Sequence, residues 1–272
     1  MAPFGLSCGR PRLLLAAMAA TAALALLGAS QGGGLLYPDE YAEIVEIWRA
    51  SGGENTTIAR ELAASGWSTV VVPFSAFGSL AGAEMSEDPL SVARRELSKG
   101  RYGATLPYFR GGIGCLVVVN DLRLAELEPT KQGLAREREE AGYLDHVRKV
   151  TLAAVVAHES THALQFLRGD IYPGPGALPF PGHDQEDELL AYLNINAIYE
   201  SQLGMTLPES RYRAIIRQDY SSLPEEAESF PERSRAFIGQ RAQVDKKSGT
   251  LPPASYPEAL ARIQSYQQES LR

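Results

Sequence analysis

Along residues 37–272 the apolar positions recur mostly with a helical period, interrupted by a few short runs that read as strands. Asp39 is placed to cap a helix from Glu40 to about Ala50, whose stripe is Tyr41, Ile44, Val45, Ile47 and Trp48. Ser51-Gly52-Gly53 ends it, and Asn55 or Thr56 starts a second helix that turns Ile58, Leu62 and Ala63 inward and stops at Gly66. Residues 67–72 open with an aromatic, are rich in valine and end before Pro73, which predicts a buried strand. A small-residue loop over 78–89, a short helix over 90–99, a strand near 104–109 and a clearer one over 115–119 follow, the last two separated by Gly111-Gly112. Either of these last two strands could sit at a sheet edge and hold an extended peptide by main-chain pairing.

From about Asp145 the helical period strengthens, with Val147, Val150, Leu152, Ala154, Val155, Ala157, Leu164 and Phe166 running through to Arg168 and Gly169. A helix this apolar predicts burial. Residues 170–185 form a proline- and glycine-rich loop of the kind that rims a site, and Glu186 opens the next helix, which runs to about Leu203. Further helices are expected over 210–220, 231–244 and 257–269, with a polar break at 246–253. The sum is an α+β fold, predominantly helical, with a small sheet preceding the helix of residues 145–168, in a single domain over 37–272.

That helix carries His158-Glu159-Ser160-Thr161-His162. Residues four apart share a helix face, so both imidazoles can be presented to one metal ion with Glu159 beside it, the arrangement of a metal-activated water with a carboxylate base. An unpaired imidazole in a buried helix is costly, and two that ligate one metal use each other's acceptors. Core histidines bonded to backbone or carboxylate are the plainer alternative. A catalytic zinc takes three protein ligands and a water. The loop and the helix after it offer the third from among Glu188, Glu186, Asp187, Asp184 and His183, which spacing does not separate. His146 reads as a surface or capping residue.

Composition narrows the partners. Of 272 residues, 44% are hydrophobic and 22% charged, which is ordinary for a globular protein. The net charge is −7, and the first thirty residues contain only Arg10 and Arg12 as charged groups, so the remainder is more acidic still. This argues against nucleic acid or an anionic membrane surface as the main partner. The charged run at 128–142 reads as a solvated face.

Arg10 and Arg12 precede an apolar run over residues 13–27, and Gly28, Ala29 and Ser30 follow it, the pattern of an export signal cleaved near Ala29 or Ser30. A secreted or periplasmic protein is expected. The alternative is an anchor over residues 13–36, in which case the membrane becomes a partner. Cys8 lies before the apolar run, unlike the cysteine of a lipoprotein. Once the signal is removed Cys115 is the only cysteine, so no internal disulfide forms, and its apolar surroundings predict an inert, buried thiol. Asn55-Thr56-Thr57 matches a glycosylation acceptor but reads more simply as the start of a helix.

His158, Glu159 and His162, followed after 25 intervening residues by Glu188 with Ala191 three positions beyond it, resemble the gluzincin branch of the zinc metallopeptidases of the zincin superfamily. The resemblance covers about residues 145–203. It implies a zincin-like domain, zinc held by His158, His162 and Glu188, and Glu159 as general base and proton shuttle in hydrolysis of a peptide or protein substrate. Ala191 would let the second helix approach the first. Gln165 and Arg168 stand where the metzincin branch has Gly and His, which excludes that branch. Tyr192 occupies the position where several gluzincins have an Asp supporting a ligand histidine. For the proton donor to the transition state no motif chooses among His183, Tyr199, Tyr212 and Tyr220. A non-catalytic secreted protein braced by the same metal is the alternative reading.

Overall fold

A computed structural model describes residues 33–76, 97, 101–126, 141–174 and 180–270. Gly33–Arg272 form one compact unit. Four strands make one mixed sheet: β1 (Leu35–Leu36), β2 (Ser68–Pro73), β3 (Gly103–Arg110) and β4 (Ile113–Val119), in the order β1-β2-β4-β3. β1 runs parallel to β2 and β2 to β4, while β3 runs antiparallel to β4. Gly111 and Gly112 make the turn between β3 and β4 with φ of 63° and 76°, a left-handed pair that side chains resist and that matches the twist of a tight hairpin.

Alternation along the strands divides their side chains between two apolar clusters. Val71, Cys115, Val117 and Val119 pack with Ile44, Val45 and Trp48 of α1 (Ala42–Ala50), Ile58 and Leu62 of α2 (Gly53–Ala64), and Val150, Ala153, Val156 and Ala157 of α4 (Ala141–Arg168). Val70, Val72, Leu106, Leu116 and Val118 pack with Ala259 and Ile263 of α8 (Tyr256–Ser270). The sheet is therefore the middle of three layers. The helix α3 (Asp121–Glu126) follows the sheet. The helices α5 (Gln185–Leu203), α6 (Glu209–Asp219) and α7 (Pro231–Ser248) follow α4, with α5 packed on α4 and α6 on α5.

The architecture is α+β and mostly helical, with the sheet ahead of the histidine-bearing helix, as the pattern predicts. Several details differ. Asp39 opens a 3-10 turn, Asp39–Tyr41, and caps nothing. Asn55 lies inside α2 rather than at its start, with its side chain buried and bonded to Trp48, so burial had already claimed the residue that looked like a cap. α7 extends past its expected end at residue 244 into the start of the expected break, to Ser248. β4 lies between β2 and β3, so the residues at 115–119 offer no free edge, and β3 is the edge strand beside the cavity described below. The pair Leu35–Leu36, where an anchor would end, belongs to the sheet. The export segment, the loop at 78–89, most of the helix expected at 90–99 and the charged run up to residue 140 lie outside the described residues. Among the described residues no helix is long and apolar enough to cross a membrane.

Candidate metal centre

α4 spans 28 residues, roughly 42 Å of helix, and the segment from His158 to Phe166 is buried along its whole circumference. α5 crosses beside it, started by a capping box in which the Asp184 side chain accepts from the backbone N–H groups of Glu186 and Asp187 and Asp187 accepts from that of Asp184. Ala191 of α5 is fully buried.

The crossing brings His158, His162 and Glu188 together. The two Nε2 atoms are 3.3 Å apart, Nε2 of His158 is 3.4 Å from Oε2 of Glu188, and Nε2 of His162 is 3.6 Å from Oε1. A tetrahedral ion with bonds of about 2.0 to 2.1 Å separates its ligand atoms by roughly 3.3 to 3.4 Å, so the three side chains stand at the spacing of zinc ligands. Oε2 of Glu188 is buried without a hydrogen-bond partner among the described residues, a costly state for a carboxylate oxygen unless a cation receives it. The donor set, two imidazoles and one carboxylate, suits a divalent transition metal such as zinc.

The charges of the group are tightly linked. Burial works to raise the pKa of Glu188, but the imidazoles of His162, His158 and His183 hold its carboxyl well below the usual range. Burial works to lower His162, and the Glu188 carboxylate together with Glu159 and Gln165 outweighs it, raising the imidazole to about 9. A buried carboxylate among imidazoles thus attracts positive charge, from a proton or from a metal.

Glu159, 7% exposed, lies in the same cavity of about 940 Å³. The Thr105 hydroxyl of β3 sits 2.7 Å from its carboxylate Oε2. β3 comes this close because residue 103 is glycine: a Cβ there would lie 2.7 Å from both Cγ and Oε1 of Glu159. On the other side, Nδ1 of His162 lies 2.8 Å from Oε1 of Gln165, whose Nε2 donates to Oδ1 of Asp187 at 2.7 Å. Nδ1 of His158 has no such partner among the described residues. Deeper in, Asn194 of α5 donates to the Thr161 hydroxyl at 2.9 Å and accepts at its carbonyl from the Asn55 side chain at 2.9 Å, tying α5 to α4 and α2.

Of the other candidate carboxylates for a third ligand, Glu186 pairs with Arg213, while Asp184 and Asp187 are engaged in the cap. His183 places Nε2 3.1 Å from Oε1 of Glu188 without hydrogen-bond alignment. Tyr192 meets the His158 ring edge to face with centroids 5.0 Å apart, and burial pushes its hydroxyl up to about 12. It therefore packs against the His158 ring rather than hydrogen-bonding to it. Tyr199 and Tyr220 line the cavity with His183 and Tyr192, and Arg101 lies over the Tyr220 ring at 5.1 Å. Tyr212 instead donates to Asn196 and lies tilted against Tyr192, with ring centroids 5.6 Å apart. His146 is half-buried near the start of α4.

Sequence reasoning missed Gly103, Thr105, Asn194 and the support role of Gln165. Only Gln165 carried a local signal, one helical turn after His162 on the same face. The chain matches no protein-family model, no curated protein and no solved structure.

Proposed function

We propose that the chain is an exported, zinc-dependent peptidase of zincin-like fold, with His158, His162 and Glu188 as metal ligands and Glu159 as general base. The observation that carries the reading is the group of two imidazole Nε2 atoms 3.3 Å apart, each 3.4 to 3.6 Å from an oxygen of the Glu188 carboxylate, with a second buried carboxylate in the same cavity. A zinc ion held there would supply Lewis acidity and bring the pKa of a water towards about 7. Glu159, held by Thr105, is the carboxylate placed to take a proton in the cavity and return it to a leaving amine. The edge strand β3, whose residues from Gly103 to Leu106 line the cavity, offers main-chain groups to an extended peptide. His183, Tyr199 and Tyr220 are the candidates to steady negative charge on a substrate carbonyl.

The test is metal analysis of the purified protein together with Glu159→Gln on a panel of peptides. About one zinc per chain is expected, with hydrolysis lowered at least about a hundredfold in the variant and zinc retained. Unchanged hydrolysis in Glu159→Gln would remove Glu159 from its role. Zinc without hydrolysis in the unaltered protein would favour a metal-braced binding protein, and no bound zinc would end the reading.

A further inference from the structure

The two ligand histidines are supported unequally. Nδ1 of His162 meets Gln165, and Nδ1 of His158 is buried with no partner among the described residues. The direction of the hydrogen bonds at Gln165 follows from its far end. The Asp187 carboxylate only accepts, so the Gln165 atom 2.7 Å from it is the amide nitrogen. The carbonyl oxygen of Gln165 then faces His162, and Nδ1 of His162 must carry the proton that it receives. With Nδ1 donating, Nε2 is the nitrogen left to face Glu188 and His158.

Asp187 is itself fixed. Its other oxygen accepts from the Asp184 backbone N–H at 3.2 Å, and its own N–H donates to the Asp184 side chain at 3.0 Å. Asp184 in turn accepts from the Ala227 N–H at 2.9 Å. Asp187 directly precedes Glu188 on the first turn of α5, while Gln165 lies one turn after His162 on α4. One chain of hydrogen bonds therefore joins the backbone that carries the third ligand to the ring that carries the second.

We infer that Gln165 and Asp187 are a pair of positioning residues that orient His162 with Nε2 towards the metal and hold α4 and α5 at the ligand spacing. The inference rests on the metal-site reading above. An amide stands between imidazole and carboxylate, so the carboxylate acts at one remove. It also means that His162 is the rigidly held ligand and His158, packed edge to face on Tyr192, the one kept in place by packing.

The test uses the full chain and zinc alone, with affinity measured by competition against a chromophoric chelator and the nitrogen protons of the zinc-loaded protein observed by NMR. Gln165→Met, of similar length but without a hydrogen-bonding amide, should weaken zinc binding 10- to 100-fold, on the order expected for such support, and abolish a hydrogen-bonded Nδ1 proton assigned to His162. The double variant Gln165→Glu with Asp187→Asn exchanges the two side-chain types and preserves every bond. The carboxylate introduced on α4 accepts from Nδ1 of His162, and the amide introduced on α5 donates to that carboxylate while its oxygen accepts from Asp184. The exchange should recover zinc affinity to within about threefold of the unaltered protein. Gln165→Met binding zinc as tightly as the unaltered chain, or the exchange remaining as weak as Gln165→Met, would overturn the inference. Should Gln165→Met fail to fold, absence of a hydrogen-bonded Nδ1 proton on His162 in the unaltered protein overturns it alone. An unaltered protein that binds no zinc brings down the site reading itself, an outcome distinct from a loss confined to the variants.

Discussion

The Thr105 hydroxyl lies 2.7 Å from the carboxylate of Glu159 and 2.7 Å from the carbonyl oxygen of the same residue. A hydroxyl has one proton, so it serves one oxygen at a time and keeps the carboxylate within reach of its own main chain. Thr105→Val removes the donor at nearly constant volume. Zinc content should stay at the unaltered level while kcat falls about tenfold, and Thr105→Ser should restore most of it. Equal kcat in Thr105→Val and the unaltered chain would mean that packing alone positions Glu159.

Gly103→Ala probes the same wall by steric means. The new methyl group would meet Glu159 at 2.7 Å and a Val155 methyl at 2.8 Å, closer than carbon atoms pack. The Glu159 and Val155 side chains must shift or the strand draw back, at a cost of about 1 to 3 kcal/mol. Chemical denaturation should show that loss, and hydrolysis should fall further than the lost stability explains because Glu159 is displaced.

Removing the metal should be visible in stability as well as in activity. Zinc at about a hundred times its dissociation constant adds about 2.7 kcal/mol to the folded state, which for a domain of this size is roughly 5 to 10 °C in Tm. Scanning calorimetry with and without chelator should show that increment in the unaltered chain and in Glu159→Gln. It should be absent in His162→Ala, and its persistence there would exclude His162 as a ligand.

Much of this arrangement was legible in the sequence, for local reasons. His158, Glu159 and His162 are joined by helix geometry, and a regular period is readable from one segment. Residue spacing alone left Glu188 level with Glu186, Asp187 and Asp184. Their separation depends on which side chains the capping box and Arg213 occupy, and hence on the start of α5 and its docking on α6. Thr105 was beyond reach because 54 residues separate it from Glu159, and strand order decides that they meet. Strand order also settled which of two apolar runs is the edge: valine content marks β4 as buried but does not say what lies beside it. Asn55 misled because a residue suited to capping is equally suited to bridging when helices pack over it.

The Asn55 and Asn194 bridge makes a separate prediction. Asn194→Leu removes the donor to Thr161, fills a buried site with an apolar group and leaves the Asn55 bonds to Trp48 and to the residue 194 carbonyl available. A loss of about 1 to 3 kcal/mol in urea denaturation is expected. Zinc affinity should fall with it, because α5 carries Glu188. Unchanged affinity would show that the cap at Asp184 alone sets the register of α5.

Cys115 should report unfolding. Its thiol is fully buried in β4, and burial pushes its pKa far up, so the thiolate that reacts with alkylating reagents is suppressed in the folded chain. Labelling by iodoacetamide should remain slow from about pH 7 to pH 9, on either side of the ordinary thiol pKa, and accelerate only at denaturant concentrations that unfold the domain. Rapid labelling under native conditions would reveal local opening of the sheet.

The middle layer has one further consequence, for the order in which the chain leaves the ribosome. One face of the sheet can be covered by α1, α2 and α4 once residue 168 has emerged, but the other waits for Ala259 and Ile263 of α8. Until then Val70, Val72, Leu116 and Val118 lack the helix that packs on them in the finished fold, and the edge strand beside the cavity belongs to a half-clad sheet. A nascent chain of this kind would assemble its histidine face early and become a finished domain only with its last helix.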